Sequence, residues 1–368
     1  MLVEAVELRW IEMPLVVPFG TSFGVQTGRD VLLVRVRSSN GEGWGECVAL
    51  PVPGYTSEYG NGAHHVIKEF LLPRIFAAGD IRADEVTRML AGVRGHPMAK
   101  AAVEGAILDA ELRVSGVSMS ERLGAVRSEI ECGVSVGIPP TLGDLLDQVE
   151  RFLDAGYKRI KLKIEPGWDA EPVSAVRERF PDARLQVDAN AAYTLADTAE
   201  LAALDPFDLM LIEQPLAEDD LLGHAELAKR ITTPICLDET ITSVGMAEAA
   251  IKLGACAVIN LKASRVGGYL EAVRVHDACR AQNVPVWCGG MLETGIGRAA
   301  NVALGALPGF TLPGDTSASG RYFARDITQP FVMQNGCLTV PTGPGLGVSP
   351  LLDVLDEVTT SVEEVRPD

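Results

Sequence analysis

The chain has 368 residues, 47% of them hydrophobic and 22% charged, so it can bury a large core and is neither a disordered chain nor a disulfide-stapled miniprotein. Its 32 basic and 50 acidic side chains leave a net charge of −18, a field that repels phosphate backbones and anionic membrane surfaces. We therefore expect neither a nucleic-acid nor a membrane partner. A small anionic substrate would need cations or a bound metal concentrated at one place.

The N-terminal segment indicates a cytoplasmic protein. MLVEAVELRW carries Glu4 and Glu7 where a signal peptide has a basic segment followed by an apolar run. The longest uncharged stretch, residues 327–352, is interrupted by prolines and amide side chains, which a membrane helix would not tolerate. The seven cysteines contain no Cys-x-x-Cys pair, so we expect free and mostly buried thiols.

The first part of the chain has the pattern of a mixed α+β module. Strand-like stretches at 3–10 and 31–36 alternate with Gly-rich turns and end in GEGWGE at 41–46. Helical patterns follow at 58–72, 83–90 and 98–114. We predict one α+β domain over residues 1–125.

From Cys132 onward short apolar strands alternate with helical stretches, which is typical of a parallel sheet. A (β/α) barrel over 126–326 is favoured, although an open doubly wound sheet would produce much the same pattern. Residues 327–368 are irregular and rich in proline and glycine, and we expect them to return to the N-terminal domain. The predicted strands are 132–136, 159–164, 184–189, 209–213, 235–238, 257–262, 284–288 and 310–314.

Charged side chains recur at the carboxyl ends of consecutive predicted strands, and this placement favours the barrel. In a barrel such strand ends converge on one rim, where catalytic groups lie. Three acids from neighbouring strands suit Mg²⁺, which prefers oxygen ligands, although spacing alone does not distinguish Asp238 from its neighbour Glu239. The recurring residues, 25, 25, 25 and 24 apart from Lys163 onward, are Lys161 with Lys163, Asp188, Glu213, Asp238 and Lys262.

The lysines predict proton-transfer chemistry. Lys161 and Lys163 are two apart on one strand, so both side chains leave the same face. Two ammonium groups in a barrel mouth repel each other, and we expect each to lower the pKa of the other toward values at which a neutral amine acts as a base. Lys262 comes from a strand across the barrel. A metal between opposed lysines would allow a proton to be removed from either face of a carbon beside a carboxylate.

Motifs along nearly the whole chain resemble the enolase superfamily, in its muconate-lactonizing branch, and most closely the o-succinylbenzoate synthases and N-acylamino acid (N-succinylamino acid) racemases. One departure is Ala263 and Ser264, where near relatives would carry Pro-Gly. The matching stretches are PFGTSFG (18–24), GEGWGEC (41–47), RIKLKIEPGWD (159–169), LQVDANAAYT (185–194), LIEQPL (211–216), TPICLDET (233–240), INLKASRVGG (259–268), VWCGGMLETGIGRAAN (286–301) and FTLPGDTSAS (310–319).

The resemblance implies a fold, a cofactor and a role for each rim residue. The fold is α/β, a (β/α)7β-type TIM-like barrel with an α+β capping domain. The cofactor is Mg²⁺, with Mn²⁺ able to substitute. Lys163 and Lys262 become the acid/base pair, and Lys161 tunes Lys163. The implied ligands are Asp188, Glu213 and Asp238, supported by Asn190 and Glu239 beside them.

Substrate contacts are expected from two loops of the capping domain, 18–28 and 50–60, which in similar proteins cover the barrel mouth. Their aromatic residues are apolar enough to close over a substrate and exclude water, although ordinary packing between cap and barrel explains each of them equally well. The candidates are Phe19, Phe23 and Tyr55 from these loops, with Ser135, Met291 and Arg265 from the barrel.

The resemblance implies an enzyme that removes a proton α to a carboxylate and forms an enediolate. Dehydration would then make o-succinylbenzoate, and reprotonation from the opposite lysine would racemise an N-acylamino acid. Arg265 is associated with members able to racemise. Alternatives are a dipeptide epimerase or a muconate cycloisomerase and, in other classes, a Schiff-base lysine aldolase or a non-catalytic metal-binding protein. A homo-oligomer is also expected from the resemblance.

Overall fold

The first three strands of the chain and its last strand form a four-stranded antiparallel sheet. The computed structural model describes residues 1–21 and 24–367. In this sheet the strand order is β13-β1-β2-β3, so the last strand pairs with the first. The strands are β1 (Val3–Thr21), β2 (Gly24–Ser38), β3 (Gly41–Cys47) and β13 (Thr359–Val365).

One long helix covers this sheet. Helix α4 (Pro97–Ser115) is buried on nearly all sides, which its run of small and apolar residues permits. Strand β3 approaches it so closely that a Cβ at Gly45 would lie 2.0 Å from the carbonyl oxygen of Ala102. We call the four-stranded sheet and helices α1 to α4 the capping domain; the other helices are α1 (Gly60–Val66), α2 (Leu72–Ala78) and α3 (Val86–Leu90), with a π-helical turn at Ile67–Leu71 and a 3-10 turn at Ala83–Glu85.

Seven parallel strands form the second sheet, in the order β11-β10-β9-β8-β7-β6-β5, which we call the barrel together with its helices. Consecutive strands are neighbours throughout, as in a singly wound barrel, so the doubly wound alternative is excluded and the predicted fold class is confirmed. The strands are β5 (Gly133–Val136), β6 (Arg159–Lys163), β7 (Leu185–Asp188), β8 (Ile212–Glu213), β9 (Ile235–Leu237), β10 (Val258–Leu261) and β11 (Val286–Cys288).

The helices of the barrel follow its strands, and a short hairpin and the C-terminal segment complete the chain. Three 3-10 turns lie at Leu195–Asp197, Asp205–Phe207 and Ser319–Arg321. The helices are α5 (Met119–Leu123), α6 (Leu142–Asp154), α7 (Ala170–Arg179), α8 (Thr198–Ala202), α9 (Leu221–Leu227), α10 (Val244–Leu253), α11 (Ala263–Val266), α12 (Tyr269–Ala281), α13 (Gly295–Gly305) and α14 (Leu352–Val358), and the hairpin pairs β4 (Glu129–Glu131) with β12 (Cys337–Thr339).

The eighth predicted strand, 310–314, does not form a regular strand. It makes single parallel bridges instead, from Phe310 to Val286 on one side and from Gly314 to Cys132 on the other. Pro313 lies in this segment and has no N–H for a continuous ladder. The segment therefore closes the gap between β11 and the start of β5 through isolated bridges.

All seven cysteines are free and most are buried, as predicted. Among residues 1–21 and 24–367, no helix combines the length and the apolar character needed to span a lipid bilayer.

Candidate active site

Strand register brings the predicted rim residues to the same end of the barrel. Lys163 pairs with Asp188 across β6 and β7, and Asp188 pairs with Glu213 across β7 and β8. Glu213 in turn pairs with Cys236, two residues before Asp238. Lys262 directly follows β10, four strands from β6 in the sheet order. Two lysine-bearing strands therefore flank the three that carry carboxylates.

Lys161 lies at the centre of the carboxylates. Its Nζ is 2.9 Å from Glu213 Oε2, 3.3 Å from Asp188 Oδ2 and 2.7 Å from Asp315 Oδ2, and it stands 4.8 Å from the centre of the Trp287 ring. Burial disfavours the ammonium form, but the three carboxylates outweigh it and raise the pKa of Lys161 well above its ordinary value. The expectation that neighbouring lysines lower the pKa of Lys161 is therefore wrong, because acids surround it more closely.

Lys163 is held by the turn that follows β7. Its Nζ donates to Asp188 Oδ2 at 2.7 Å and to Asn190 Oδ1 at 2.5 Å. Asn190 Nδ2 donates to Glu239 Oε1 at 2.9 Å, so Asn190 and Glu239 form a chain of contacts behind this lysine. Burial and the charge of Asp238 raise the pKa of Glu239 to about 7.

Lys262 meets the carboxylates from the opposite side. Its Nζ donates to Asp238 Oδ2 at 2.7 Å and to the Tyr55 hydroxyl at 2.6 Å. Burial disfavours its charge, but Asp238 more than compensates and raises the pKa of Lys262. Arg265 Nε lies 3.4 Å from Asp238 Oδ1, and its guanidinium also donates to the Tyr55 hydroxyl. Arg265 thus touches the site through Asp238 and Tyr55.

The position of Tyr55 differs from its predicted apolar role. Its hydroxyl donates to Asp238 Oδ2 at 2.9 Å, and its ring lies under the ammonium of Lys262, 4.9 Å from Nζ to the ring centre. Tyr55 therefore brings a polar group from the loop of the capping domain to the Asp238 carboxylate, and its contribution to closure is not only that of an apolar ring.

The three predicted metal ligands fit a hard divalent cation in their chemistry. Burial and the charge of Asp188 raise the pKa of Glu213 to about 8, a repulsion that a cation would relieve. Asp238 Oδ1 accepts no hydrogen bond from the described residues. In residues 1–21 and 24–367 no three acidic, histidine or cysteine side chains form a ready-made metal cluster, and the carboxylate oxygens contact lysines instead.

A cavity above the carboxylates contains most of the predicted substrate contacts. Ser135 and Met291 line it from the barrel, and Ser135 Oγ has no hydrogen-bond partner among the described residues. Phe23 lies outside the residues that the structure describes. The lining from the capping domain includes Phe19 and Tyr55 with Gln26 and Leu50, and the lining from the barrel also includes Lys161, Lys163, Asp188, Asn190, Lys262, Asp315 and Tyr322.

Three further buried polar residues at the site are not among those predicted from the sequence. Asp315 binds both Lys161 and Arg159, and it stands directly after the closing segment in FTLPGDTSAS. Asn260 Nδ2 donates to Glu213 Oε1 at 2.6 Å, and its position two residues before Lys262 on the same strand could have indicated it. Gln214 Oε1 accepts from the backbone N–H of Asp238 at 3.0 Å. No local signal in the sequence indicates this last contact.

Comparison with known proteins assigns the family. An enolase C-terminal domain-like family matches residues 144–354, and the mandelate racemase / muconate lactonizing enzyme N-terminal domain matches residues 5–124. An N-succinylamino acid racemase of Amycolatopsis sp. is 62% identical over 362 residues, 98% of each chain. An o-succinylbenzoate synthase of Geobacillus kaustophilus is 50% identical, over 94% of this chain and 92% of its own. The crystal structure of an enolase superfamily member from Listeria innocua superposes with a TM-score of 0.96 at 42% identity, covering 100% and 99% of the two chains. The chain therefore belongs to the enolase superfamily and is an enzyme with a small-molecule substrate, in a family whose members use a divalent metal.

Proposed function

We propose that the protein is an o-succinylbenzoate synthase that also racemises N-succinylamino acids. The observation that carries the proposal is the pair of lysines, Lys163 and Lys262, on strands four apart in the sheet order with three carboxylates between them. The relatives at 62% and 50% identity bear the names of these two activities. Both reactions begin with removal of a proton α to a carboxylate, so one site serves both.

The proposed ligands are Asp188, Glu213 and Asp238, and the proposed metal is Mg²⁺. When bound, the cation would supply positive charge that stabilises the negative charge developing on the substrate carboxylate. Asn190 would hold the Lys163 ammonium, and Glu239 would hold Asn190 in turn. Asn260 would orient Glu213. Chelation with EDTA is expected to abolish activity, and Mg²⁺ or Mn²⁺ is expected to restore it; full activity in metal-free buffer would exclude this assignment.

In racemisation the two lysines act on opposite faces of one carbon. One lysine, as the neutral amine, removes the α-proton, and the other, as the ammonium, delivers a proton to the opposite face of the enediolate. Each enantiomer then has its own base. Arg265 and Tyr55, which contact Asp238 beside Lys262, would orient the second base.

In the dehydration one lysine does the proton transfers. Lys163 removes the α-proton from the substrate ring. The resulting ammonium protonates the departing hydroxyl on the same face, so that water leaves and the substrate ring becomes aromatic. The ammonium of Lys262 stabilises the enediolate from across the ring. Loss of Lys163 is therefore expected to abolish both reactions.

Solvent deuterium incorporation tests the assignment. D- and L-N-succinylphenylalanine are incubated separately in D₂O and followed by NMR with wild type, Lys163→Ala and Lys262→Ala. We expect neither variant to racemise, and Lys262→Ala to retain exchange only for the enantiomer whose α-proton faces Lys163. Lys229→Ala is the control, because that exposed lysine pairs with Glu226 on the barrel exterior. Racemisation by Lys163→Ala, or equal exchange of both enantiomers in both variants, would exclude the two-base mechanism.

Other activities are distinguished in the same preparation. Turnover of an L-Ala-D/L-Glu dipeptide or of muconate above that of the succinylated substrates would favour an epimerase or a cycloisomerase. A covalent adduct trapped by borohydride with substrate would favour a Schiff-base lysine. We expect no adduct, because proton transfer by the lysines needs no bond to carbon.

We also propose a homo-oligomer. Supporting it, Val16, Val17 and Val25 are 45%, 55% and 69% exposed on the β1–β2 hairpin, an apolar surface of the kind that subunit contacts cover. Light scattering at micromolar concentration is expected to give a multiple of 39.2 kDa. A monomeric mass would exclude it.

A further inference from the structure

Glu104 reaches from the capping domain into the start of a barrel helix. It lies on α4 and is 1% exposed. Its Oε2 accepts from the backbone N–H of Tyr269 at 3.0 Å and its Oε1 from that of Leu270 at 2.9 Å. A Cβ at Gly268 would lie 2.7 Å from the Glu104 carboxyl carbon, so this close approach requires glycine. The carboxylate therefore satisfies two free N–H groups at the start of α12.

Glu46 makes the equivalent contact one helix further along. It lies on β3 of the capping domain, and its carboxylate accepts from the Thr294 N–H at 3.1 Å, the Thr294 hydroxyl at 2.7 Å and the Gly297 N–H at 2.9 Å. These groups form the N-terminal turn of α13. Two successive barrel helices are thus capped by carboxylates from the other domain.

Burying each of these two carboxylates costs free energy, which argues against incidental packing. A carboxylate removed from water needs close compensation, and a helix N-terminus supplies it through N–H donors and the helix dipole. Burial raises the pKa of Glu46 and of Glu104 to about 7. Neither carboxylate makes a hydrogen bond to the lysines or to the rim carboxylates in the described structure.

The two capped helices follow β10 and β11, two of the strands whose ends line the substrate cavity. Helix α12 begins seven residues after Lys262, and α13 begins four residues after Met291. A hydrogen-bond chain also links them to the cavity wall. The Tyr269 hydroxyl donates to Asn301 Oδ1 at 3.1 Å, Asn301 Nδ2 donates to Glu293 Oε1 at 2.9 Å, and the same oxygen accepts from the Met291 N–H at 2.8 Å.

We propose that Glu46 and Glu104 are positioning residues that lock the capping domain onto the barrel and so set the distance between the substrate contacts on the cap and the catalytic groups on the barrel. The proton-transfer and ligand residues all belong to the barrel, whereas Phe19, Leu50 and Tyr55 come from the capping domain. Loosening the lock should therefore weaken substrate binding more than it slows the chemical step.

Amide hydrogen exchange followed by mass spectrometry tests the lock without any substrate. In Glu104→Ala we expect exchange at least tenfold faster at the start of α12, and in Glu46→Ala at the start of α13, with faster exchange of the loop 50–59 in both. The matched control is Glu111→Ala, also on α4, which caps Ala83 at 2.8 Å inside the capping domain. It should leave α12, α13 and the loop 50–59 unchanged.

The kinetic part rests on the proposed function and is read separately. For N-succinylphenylalanine we expect both alanine variants to raise KM at least fivefold with kcat within twofold of wild type, and Glu111→Ala to change neither. Faster exchange confined to the helix starts, with wild-type KM, would show caps that only stabilise helices and would overturn the proposal. A fivefold or larger fall in kcat with wild-type KM would also overturn it.

The glutamine variants decide the matter if the alanine variants do not fold. Glu46→Gln and Glu104→Gln retain one acceptor oxygen and replace the other with an amide nitrogen, which cannot accept a hydrogen bond. We therefore expect a KM between that of wild type and the at least fivefold higher KM expected of the alanine variants. Wild-type KM and exchange in both would overturn the proposal. If no substrate turns over in wild type, the exchange result still stands or falls by itself, which separates this proposal from the proposed function.

Discussion

At the residue scale, the rim carboxylates are each held by a nitrogen donor that fixes their orientation. Glu213 is fully buried between the Lys161 ammonium, 2.9 Å away, and the Asn260 amide, 2.6 Å away. Ser135 shows the opposite condition, because its buried hydroxyl lines the cavity without a partner in the described structure. These two conditions carry the roles proposed for them, Glu213 as a ligand of a cation and Ser135 as a donor to a substrate atom.

Glu213→Gln is expected to keep the fold and lose the metal. The amide conserves shape but removes one of three negative charges, and loss of outer partners alone commonly costs about 10 to 100-fold in metal affinity. We expect Mn²⁺ affinity, measured by calorimetry, to fall at least about 100-fold, and turnover to fall with it. Glu226→Gln, on the exposed face of α9, is the control. Normal metal affinity in Glu213→Gln would show that another acid is the ligand.

Ser135→Ala is expected to affect binding alone. Removing a hydrogen bond to an uncharged substrate oxygen costs about 0.5 to 1.5 kcal/mol, so KM should rise about 2 to 13-fold with kcat within about twofold. Steady-state kinetics with N-succinylphenylalanine measure this, and Ser174→Ala on α7 serves as control because its hydroxyl contacts Glu178 away from the cavity. An unchanged KM would mean that Ser135 does not touch the substrate.

At the scale of secondary-structure elements, the capping domain depends on the close contact between β3 and α4. Gly43 and Gly45 alternate on the strand face that meets the helix, and a Cβ at either position would lie within 2.3 Å of α4 backbone atoms. Backbone atoms of a helix cannot move aside as a flexible side chain can. The glycines of the motif GEGWGE are therefore needed for the close packing of β3 on α4, and do not only mark a turn.

Gly45→Ala is expected to destabilise the protein by about 3 kcal/mol or more, because the strand must move away from α4. Urea unfolding measures this as a lower midpoint. Gly92→Ala is the control, since a Cβ there meets nothing within 4 Å. Equal midpoints for the two variants would show that the contact between β3 and α4 yields easily.

At the scale of the whole molecule, the two domains meet through buried carboxyl groups whose charge depends on pH. Burial, with a smaller contribution from Glu271, raises the pKa of Glu104 from 4.5 to about 7, against the effect of the Leu270 and Tyr269 N–H groups and of Arg122. The folded protein thus holds this proton more tightly than the unfolded chain. The stability that this adds is fully present below pH 4.5 and is lost as pH rises to about 7.

A comparison of wild type with Glu104→Gln isolates this effect, because the amide does not titrate. The pKa difference between 4.5 and about 7 corresponds to about 3 kcal/mol, so the unfolding free energy of wild type relative to the variant should fall by that order from pH 4.5 to pH 8. Urea unfolding in EDTA at several pH values measures it, without coupling to metal release. A difference that stays constant with pH would contradict the raised pKa.

The sequence by itself determined the fold class, the family and the placement of the lysines and acids at one barrel rim. These features are local or periodic: a residue two positions along a strand shares its face, and strands about 25 residues apart end at the same rim. The pattern also indicated an eighth strand, but the bridges at Phe310 and Gly314 replace it, because Pro313 interrupts the ladder.

Only the tertiary structure decided which groups meet across long separations in the chain. Asp315 raises the pKa of Lys161 from 154 positions away, opposite to the direction expected from Lys163 alone. The Tyr55 hydroxyl meets Asp238, and Glu104 caps α12, across 183 and 165 positions. Spacing along a chain specifies which face a side chain leaves, but the partner it finds there depends on how two domains pack, and electrostatic effects in a buried site follow the partner.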